Sequence, residues 1–490
     1  MPEQVDVLIV GAGISGVAAA YYLGERCPNL SWTIVEGRAA IGGTWDLFRY
    51  PGVRSDSDMY TLGFRFRPWM GEKAIADGPA ILQYIRDTAR EFGIDRKIRF
   101  GHRVCRVEWS SQSAEWIAEI EGPSTFERLH IRCKFLFMCT GYYRYDEGYT
   151  PEWAGRECFR GEIAHPQSWG ARRHSADRDE LNFDGKRVVV IGSGATAVTM
   201  IPALAERAKH VTMLQRSPTY VVSGPSRDEL ALRLHKLLPF AVAAPLARWR
   251  MILRGIYYFQ IARRRPQEAR ANMLRGIREA LGPDFDVERH FGPRYNPWDQ
   301  RVCLAPDADF FKAIKAGSVS IVTDEIDRFV ETGILLKSGE RLTADIIITA
   351  TGLRMKIMHG VDIVVDGASV KLGDTLSYKG MMYSNIPNLA SSFGYTNASW
   401  TLKAELICEY VCRLLNYMER RGYAQCTPRR DMSAAETEAY IDFSSGYVQR
   451  ALDELPKQGR RRPWKLYQNY LKDLLVMRFG RLNDGVIEFK

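Results

Sequence analysis

The stretch VDVLIVGAGISG, residues 5–16, decides the fold. An apolar run at 5–10 predicts a β-strand, and the G-x-G-x-x-G turn that follows opens a helical pattern reaching to about residue 26. A second apolar strand, 32–35, ends at Glu36, twenty residues beyond the last glycine of the turn. This order of strand, glycine turn, helix, strand and acid is typical of a dinucleotide-binding βαβ unit.

Each position of this turn has a physical role. Gly11 permits the tight turn, Gly13 lets the backbone approach a pyrophosphate, and Gly16 lets the helix and strand pack closely. The helix N-terminus presents N–H groups to the phosphates, which the N–H or hydroxyl of Ser15 can join. We expect Glu36 to hold the ribose hydroxyls of an adenosine. A glycine-rich turn without a ligand is the structural alternative.

The unit returns once along the chain, as RVVVIGSGATA at residues 187–197. Its predicted cofactor-binding residues are Gly192, Ser193, Gly194, Ala195, Thr196, Ala197 and Val198. A strand at 211–214 leads to Gln215, Arg216 and Ser217 in place of the acid. An acid would repel a 2′-phosphate, whereas arginine can bind it through two hydrogen bonds. The first unit is therefore predicted to bind FAD and the second NADPH through Arg216 and Ser217, with a solvated surface arginine as the alternative.

The predicted fold class is α/β, with two Rossmann-like dinucleotide-binding domains, each a doubly wound parallel sheet, and a helical insertion. A chain of 490 residues exceeds the size of one core, so several domains are expected. The FAD domain is assigned to 1–143 and 353–490, the NADPH domain to 156–225 and 291–352, and the insertion in the latter to 226–290. Further predicted elements are a helix at 77–92 and strands at 104–109, 116–120, 135–138 and 345–349.

Cysteine spacing and charge bear on the cellular compartment and the binding partners of the protein. Nine scattered cysteines show no C-x-x-C and no Cys/His metal spacing, which predicts reduced thiols in a cytoplasmic protein without a metal site. The apolar strand begins too close to Met1 for a secretory signal. The net charge is +10, concentrated at 248–278 and 460–462, but no nucleic-acid motif accompanies it. The insertion, with apolar residues 237–247, is interpreted as a helical packing element with a basic face; contact with the inner face of a membrane stays open as the alternative.

The loop at 42–58, GGTWDLFRYPGVRSDSD, combines two glycines, a Pro-Gly turn and carboxylates beside arginines, as binding loops do. It resembles the signature G-G-x-W-x-x-x-x-Y-P-G-x-x-x-D of type I Baeyer–Villiger monooxygenases, which are class B flavoproteins. The sequence FRGEIAHPQSW at 159–169 meets their second signature, and its final Trp169 favours this branch over nitrogen- and sulfur-oxygenating relatives. The chain is also similar to flavin-binding long-chain alkane monooxygenases.

The resemblance implies an NADPH- and O2-dependent enzyme that inserts oxygen into a hydrophobic ketone or oxidises sulfides and thioamides. Arg301 matches the family's active-site arginine and Asp56 the carboxylate that positions it; a structural ion pair is the alternative. Thr44, Trp45, Asp46 and Leu47 are implied to contact FAD, Val104 its adenine, and Arg54, Ser55 and Asp56 the nicotinamide side. His165 is implied to be a linker residue that orders domain motion.

Other functions stay open at this point. They are oxygenation of nitrogen or sulfur, hydroxylation of long alkanes, and an FAD/NADPH reductase, although no cysteine pair lies near either glycine turn. The sequence does not indicate an oligomeric state. Aromatic residues in the insertion and the C-terminal part suggest a hydrophobic substrate but are equally expected in a core; they are Trp249, Tyr257, Tyr258, Phe259 and Trp400.

Overall fold

The computed structural model describes residues 3–123, 128–169, 181–430 and 437–490. Strands and helices are numbered in chain order. The strands are β1 Glu3–Val10, β2 Trp32–Glu36, β3 Ile98–Phe100, β4 Arg103–Ser110, β5 Glu115–Glu121, β6 Arg128–Met138, β7 Glu162–Ala164, β8 Arg187–Ile191, β9 His210–Gln215, β10 Val221–Gly224, β11 Cys303–Pro306, β12 Val319–Thr323, β13 Ile326–Val330, β14 Gly333–Leu336, β15 Arg341–Thr343, β16 Ile346–Thr349, β17 Asp362–Val365, β18 Ala368–Val370, β19 Ser377–Tyr378, β20 Met382–Tyr383, β21 Leu389–Ser391, β22 Cys426–Pro428, β23 Thr437–Ala439, β24 Lys457–Gly459 and β25 Ile487–Phe489. The helices are α1 Ile14–Arg26, α2 Thr44–Leu47, α3 Met59–Leu62, α4 Gly78–Glu91, α5 Ala195–Ala205, α6 Glu229–Leu237, α7 Phe240–Arg264, α8 Pro266–Leu281, α9 Val287–Phe291, α10 Asp309–Lys315, α11 Trp400–Arg421, α12 Gly446–Gln449 and α13 Tyr470–Leu474.

The first sheet contains the N-terminal glycine turn. Its order is β18-β17-β4-β5-β6-β1-β2-β3, with β21 parallel to the second half of β6. Strands β6, β1, β2 and β3 pair in parallel, whereas β4, β5 and β6 pair antiparallel. The expectation of a purely parallel sheet is wrong here, because short connections between successive strands permit only antiparallel pairing.

The second sheet matches the expected doubly wound pattern. Its five strands, in the order β12-β9-β8-β16-β7, are all parallel. Strand β8 is buried along its last four residues, which explains why its sequence is a continuous apolar run and does not alternate between apolar and polar residues. The glycine turn follows β8 and opens α5, so the second unit repeats the geometry of the first. The predicted fold class is confirmed.

The insertion is helical, as its periodicity predicted, and comprises α6, α7, α8 and α9. We call the first sheet with the helices packed on it the first module, and the second sheet with its helices the second module. The helices of the insertion contact both modules. From α7, buried Arg248 donates to the carbonyl oxygens of Tyr60 at 2.9 Å and Gly63 at 2.6 Å, and pairs with Glu405 of α11 at 2.6 Å. Leu274 of α8 instead packs in the core of the second module. The assignment of the insertion to one domain, like the other domain boundaries, stays a prediction.

The C-terminal part returns to the first module. Helix α11 packs along α1, and fifteen of its residues are buried. Glu409 is almost fully buried and forms ion pairs with Arg26, Arg65 and Arg478. It therefore joins α1, the loop after α3 and the C-terminal segment. No helix in the described part of the chain is long and apolar enough to cross a bilayer. All nine cysteines are free thiols.

Candidate active site

Both glycine turns face one cavity of about 880 Å³ between the modules. Gly13 is the N-cap of α1 and Gly194 the N-cap of α5, and neither helix has a side chain capping its first turn. The first backbone N–H groups of a helix have no partner within it, so both ends offer donors and a partial positive charge. The cavity therefore has two anion-binding ends.

The glycines at these turns are required by close backbone contacts. A Cβ on Gly16 would lie 1.9 Å from the carbonyl oxygen of Gly11. Gly192 has φ +127°, and a Cβ there would lie 2.3 Å from the carbonyl oxygen of Ala350. At the second glycines there is more space: a Cβ on Gly194 would meet no atom within 4 Å, and one on Gly13 would meet only the backbone of Gly43, at 3.6 Å. A diphosphate can approach the backbone at that point, so the turns fit dinucleotides.

The acid of the first unit lies beneath its turn. Glu36 is buried and accepts N–H groups from Ala12 at 2.7 Å and Arg38 at 2.9 Å. Burial raises the pKa of its carboxyl group. The hydroxyl of Ser15 accepts from the Trp400 indole at 2.8 Å and from the Ser392 hydroxyl at 3.1 Å, so its own proton and the backbone N–H both stay available to a phosphate.

The end of the second unit carries a different charge. Gln215 is buried and donates to the carbonyl oxygen of His290 and to Thr323, both at 2.8 Å. Arg216 follows as an exposed cavity-lining residue. Nearby Glu325 also lines the cavity, but its carboxylate is paired at 2.5 Å with the ammonium of Lys337. Arg216 therefore brings positive charge to this end of the cavity, next to the Glu325 carboxylate.

The loop at 42–58 joins the two modules. Phe48, Tyr50 and Val53 are buried in the hydrophobic core of the second module, although the loop starts in the first. Gly52, with φ +75°, packs so tightly on α5 that a Cβ would lie 2.7 Å from the carbonyl oxygen of Thr199. The loop therefore carries its terminal residues across the cavity to the second module.

Asp56, near the end of this loop, meets Arg301. The carboxylate accepts from Arg301 Nε at 2.7 Å and from Nη2 at 2.9 Å, a bidentate pair. Both side chains are about one-third exposed, 31% and 33%, and both line the cavity. The charge of Asp56 raises the pKa of Arg301 further above its usual value, and the guanidinium is a permanent cation. Neighbouring Arg54 pairs with Asp309, at 2.5 Å.

Three tyrosines that the sequence analysis did not identify surround this pair. Tyr142, Tyr143 and Tyr447 line the cavity, and the two neighbouring hydroxyls, of Tyr142 and Tyr143, are 2.5 Å apart. Tyr142 also stacks on Trp400, with ring centroids at 5.0 Å. The sequence could have indicated Tyr142 and Tyr143 as site residues, because they follow the carboxyl end of β6, where α/β sheets bind ligands. It could not have indicated Tyr447, because the position of that residue depends on how the C-terminal segment packs.

His165 lies between the modules rather than at the cavity. Its Nδ1 accepts from the N–H of Gln167 at 3.1 Å, so Nε2 carries the proton and donates to the carbonyl oxygen of Gly352 at 3.2 Å. Burial lowers its pKa below the usual 6.5, which favours this neutral form. Gly148 passes directly against the ring. These contacts join the two chain segments that connect the modules.

The structure separates the predicted site residues into two groups. Those that line the cavity are Gly13, Ser15, Thr44, Trp45, Arg54, Ser55, Asp56, Gly192, Ser193, Gly194, Ala195, Thr196, Arg216, Ser217 and Arg301. Those that lie behind its wall are Gly11, Gly16, Glu36, Asp46, Leu47, Val104, Ala197 and Val198. Of the five aromatic residues that suggested a hydrophobic substrate, Trp400 lines the cavity. Trp249, Tyr257 and Tyr258 are exposed at the surface, and Phe259 packs against Trp298 outside the cavity.

Comparisons with known proteins agree with this geometry. Residues 9–69 match the NAD(P)-binding Rossmann-like domain, and residues 75–238 match the flavin-binding monooxygenase-like family. Among solved structures, an oxidized steroid monooxygenase bound to NADP is similar over 99% of both chains, with a TM-score of 0.77 and 22% identity. That likeness shows the shared fold.

Sequence relatives define the family. The chain belongs to the FAD-containing monooxygenases and is a flavin-dependent monooxygenase, as the sequence predicted. It is 53% identical to the FAD-containing monooxygenase EthA of Mycobacterium tuberculosis over 490 residues, which is 100% of this chain and 98% of the relative. It is 43% identical to the probable FAD-binding monooxygenase AlmA of Acinetobacter baylyi, over 100% of this chain and 97% of that relative.

Proposed function

We propose that this chain is an NADPH- and O2-dependent monooxygenase that inserts one oxygen atom into a hydrophobic ketone and oxidises sulfides or thioamides. Its cofactors are FAD at the first glycine turn and NADPH at the second. The observation that carries the proposal is the bidentate Asp56–Arg301 pair in a cavity bounded by both turns. Bound FAD, once reduced by NADPH, would provide the reactivity toward O2 that protein side chains do not have.

The helix ends provide the cofactor contacts. The N-termini of α1 and α5 would each hold a diphosphate through backbone N–H groups, since neither end has a capping side chain. Arg216 would hold the 2′-phosphate of NADPH with Ser217 beside it. Thr44 and Trp45 would contact FAD from the loop that covers the first turn, and Arg54 and Ser55 the nicotinamide half.

Arg301 would supply the fixed positive charge of the reaction. Negative charge that develops on oxygen in a site without water is costly unless a preorganised cation lies nearby. Asp56 holds the guanidinium in one orientation, because two parallel hydrogen bonds restrict its rotation. The loop at 42–58, whose aromatic residues pack into the second module, would cover this side of the site and reduce its access to water.

Two alternative reactions differ in what they need. A disulfide reductase needs a reactive cysteine pair beside the flavin. The cavity-lining thiols, Cys139 and Cys303, are unpaired, and burial raises the pKa of the Cys303 thiol to about 12, which disfavours the reactive thiolate. Hydroxylation of long alkanes draws support only from the resemblance of the sequence to flavin-binding long-chain alkane monooxygenases.

Product analysis tests the proposal. The purified chain with FAD is supplied with NADPH, oxygen and one of three substrates: benzylacetone, thioanisole or hexadecane. We expect an ester from the ketone and a sulfoxide from the sulfide, each with oxygen from labelled O2. NADPH oxidation that yields only hydrogen peroxide with every substrate would refute the monooxygenase proposal. Oxidation of hexadecane alone would favour the alkane hydroxylase.

We also propose that α7 contacts an anionic membrane surface. One face of this helix bears exposed apolar residues at helical spacing: Val242, Leu246, Trp249, Leu253 and Tyr257. Leu246 and Leu253 are 48% and 51% exposed. The exposed arginines Arg254, Arg264 and Arg265 flank this face. An apolar face bordered by cations is the arrangement of helices that lie in a bilayer interface. A cytoplasmic location stays a prediction.

Vesicle sedimentation tests this contact. The wild-type chain should sediment with phosphatidylglycerol vesicles, less at high salt, and not with phosphatidylcholine vesicles. The double variant Leu246→Glu, Leu253→Glu should stay in solution. Met70→Glu, at a 77% exposed apolar residue outside the insertion, is the control that should still sediment. Equal sedimentation of all three proteins, or a change only in self-association, would rule out the membrane contact.

A further inference from the structure

A small chamber of about 20 Å³ adjoins the main cavity beside Arg301. Its walls include apolar Phe393, Phe443 and Val448 beside polar Thr396. Tyr142, Arg301 and Tyr447 border both the chamber and the main cavity. A hydrophobic substrate whose reacting group lies at Arg301 in the main cavity would therefore meet the few polar side chains at this point of the wall.

The hydroxyls of the neighbouring tyrosines differ in availability. Those of Tyr142 and Tyr143 share one hydrogen bond at 2.5 Å, which uses the proton of one hydroxyl and a lone pair of the other. The hydroxyl of Tyr447 has no hydrogen-bond partner among residues 3–123, 128–169, 181–430 and 437–490. Burial keeps the pKa of Tyr447 well above its usual value of 10, so the phenol is neutral and retains its proton. Tyr447 thus presents a donor toward the space beside Arg301.

The backbone around Tyr447 is held firmly. Ser444 donates through its N–H to the carbonyl oxygen of Asp299 at 2.9 Å, and its hydroxyl donates to the same atom at 3.2 Å. Asp299 is two residues before Arg301, so this contact ties the segment to the arginine. Gln449 donates to the carbonyl oxygen of Phe443 at 2.8 Å, and Val448 is fully buried. A donor fixed by its neighbours can recognise one substrate atom.

We propose that Tyr447 binds the substrate by donating a hydrogen bond to its acceptor atom, the carbonyl oxygen of a ketone or the thiocarbonyl sulfur of a thioamide. This inference rests on the proposed function and names the residue that orients its substrate. The apolar side chains of the wall contact the hydrocarbon part, while the phenol selects molecules with an acceptor. A hydrocarbon without an acceptor would bind at the same place but gain nothing from Tyr447.

Equilibrium binding tests the inference without turnover. Benzylacetone and butylbenzene differ only in a carbonyl that replaces a methylene group, and each is titrated into the chain loaded with FAD and NADP⁺. Tyr447→Phe, which removes only the hydroxyl, should raise the Kd of benzylacetone about three- to tenfold, the value of one neutral hydrogen bond. The Kd of butylbenzene should not change. Tyr417→Phe, on α11 away from the cavity, is the matched control and should leave both constants unchanged.

The outcomes separate the inference from the proposed function. Weaker binding of both ligands by Tyr447→Phe would mean that the residue only shapes the chamber, and would overturn the inference. Unchanged binding of both, or a wild-type chain that does not distinguish them, would overturn it too. If the carbonyl dependence is found but benzylacetone yields no ester, the inference stands and the proposed reaction fails.

Discussion

Asp56 accepts two hydrogen bonds from Arg301, at 2.7 and 2.9 Å, across 245 residues of sequence and from the opposite module. The loop that carries Asp56 starts at the first glycine turn, and its aromatic residues are buried in the second module. The pair therefore links the loop from the first module to the second module at the proposed reaction site.

Asp56→Asn should reduce ketone turnover about 10- to 100-fold, because the loss of a charge-assisted hydrogen bond costs about 1.5–3 kcal/mol. FAD content should stay at the wild-type value, since the first glycine turn is untouched. Turnover and bound flavin are measured on the same preparation.

The chain offers a matched control for that variant. Asp345 also accepts two hydrogen bonds from an arginine, Arg187, at 3.1 and 2.7 Å, but outside the cavity. Asp345→Asn should leave turnover unchanged. Equal losses in the two variants would indicate that Asp56 acts on stability alone.

Gly192→Ala should abolish reduction of bound flavin by NADPH while FAD is retained. The added methyl group would lie 2.3 Å from the backbone at Ala350 and would deform the second turn only. Flavin absorbance under anaerobic conditions is the measurement. Gly276→Ala, in α8 with no atom within 4 Å of the new methyl group, is the control. Loss of FAD from Gly192→Ala would contradict the assignment of one nucleotide to each turn.

Arg216→Ala should lower kcat/KM for NADPH about 10- to 100-fold and change that for NADH little, because only NADPH carries the 2′-phosphate that the guanidinium would bind. Steady-state kinetics with both nucleotides test this expectation. Arg341→Ala, an exposed arginine of β15 that does not line the cavity, should leave both values unchanged. A parallel loss for both nucleotides in Arg216→Ala would place the 2′-phosphate elsewhere.

His165 should make the folded protein sensitive to acid. Its folded-state pKa is lowered below 6.5, so the unfolded chain takes up a proton first as the pH falls below that value. Stability that is present above about pH 6.5 is then lost on acidification, by at most about 1.4 kcal/mol per pH unit for one proton. Burial also lowers the pKa of His290 and His359, which contribute in the same direction.

Urea unfolding at about pH 7.5 and 5.5 tests the contribution of His165. His165→Gln should lose less stability on acidification than the wild-type chain. His130→Gln, at a side chain that is 46% exposed in β6, should behave like the wild type. An identical pH dependence in all three proteins would refute a titrating role for His165.

The sequence predicted the features that depend on residues close to one another along the chain. The two glycine turns, the strands around them and the contrast between Glu36 and Arg216 all lie within short segments, where periodicity and backbone geometry decide the structure. Glu36, however, lies behind the cavity wall, with its carboxylate bonded to the N–H groups of Ala12 and Arg38. A pattern places a residue at a strand end but does not show which neighbours already occupy its side chain.

The sequence by itself determined the two dinucleotide-binding units, the family and the pairing of Asp56 with Arg301 as a hypothesis. Only the tertiary structure decided that the insertion exposes Tyr257 and Tyr258, that the first sheet is mixed, and that Tyr447 faces Arg301. The physical reason is the range of the interactions. Turns and helix ends depend on neighbours along the chain, whereas the cavity is made by side chains hundreds of residues apart, whose contacts exist only once the modules pack.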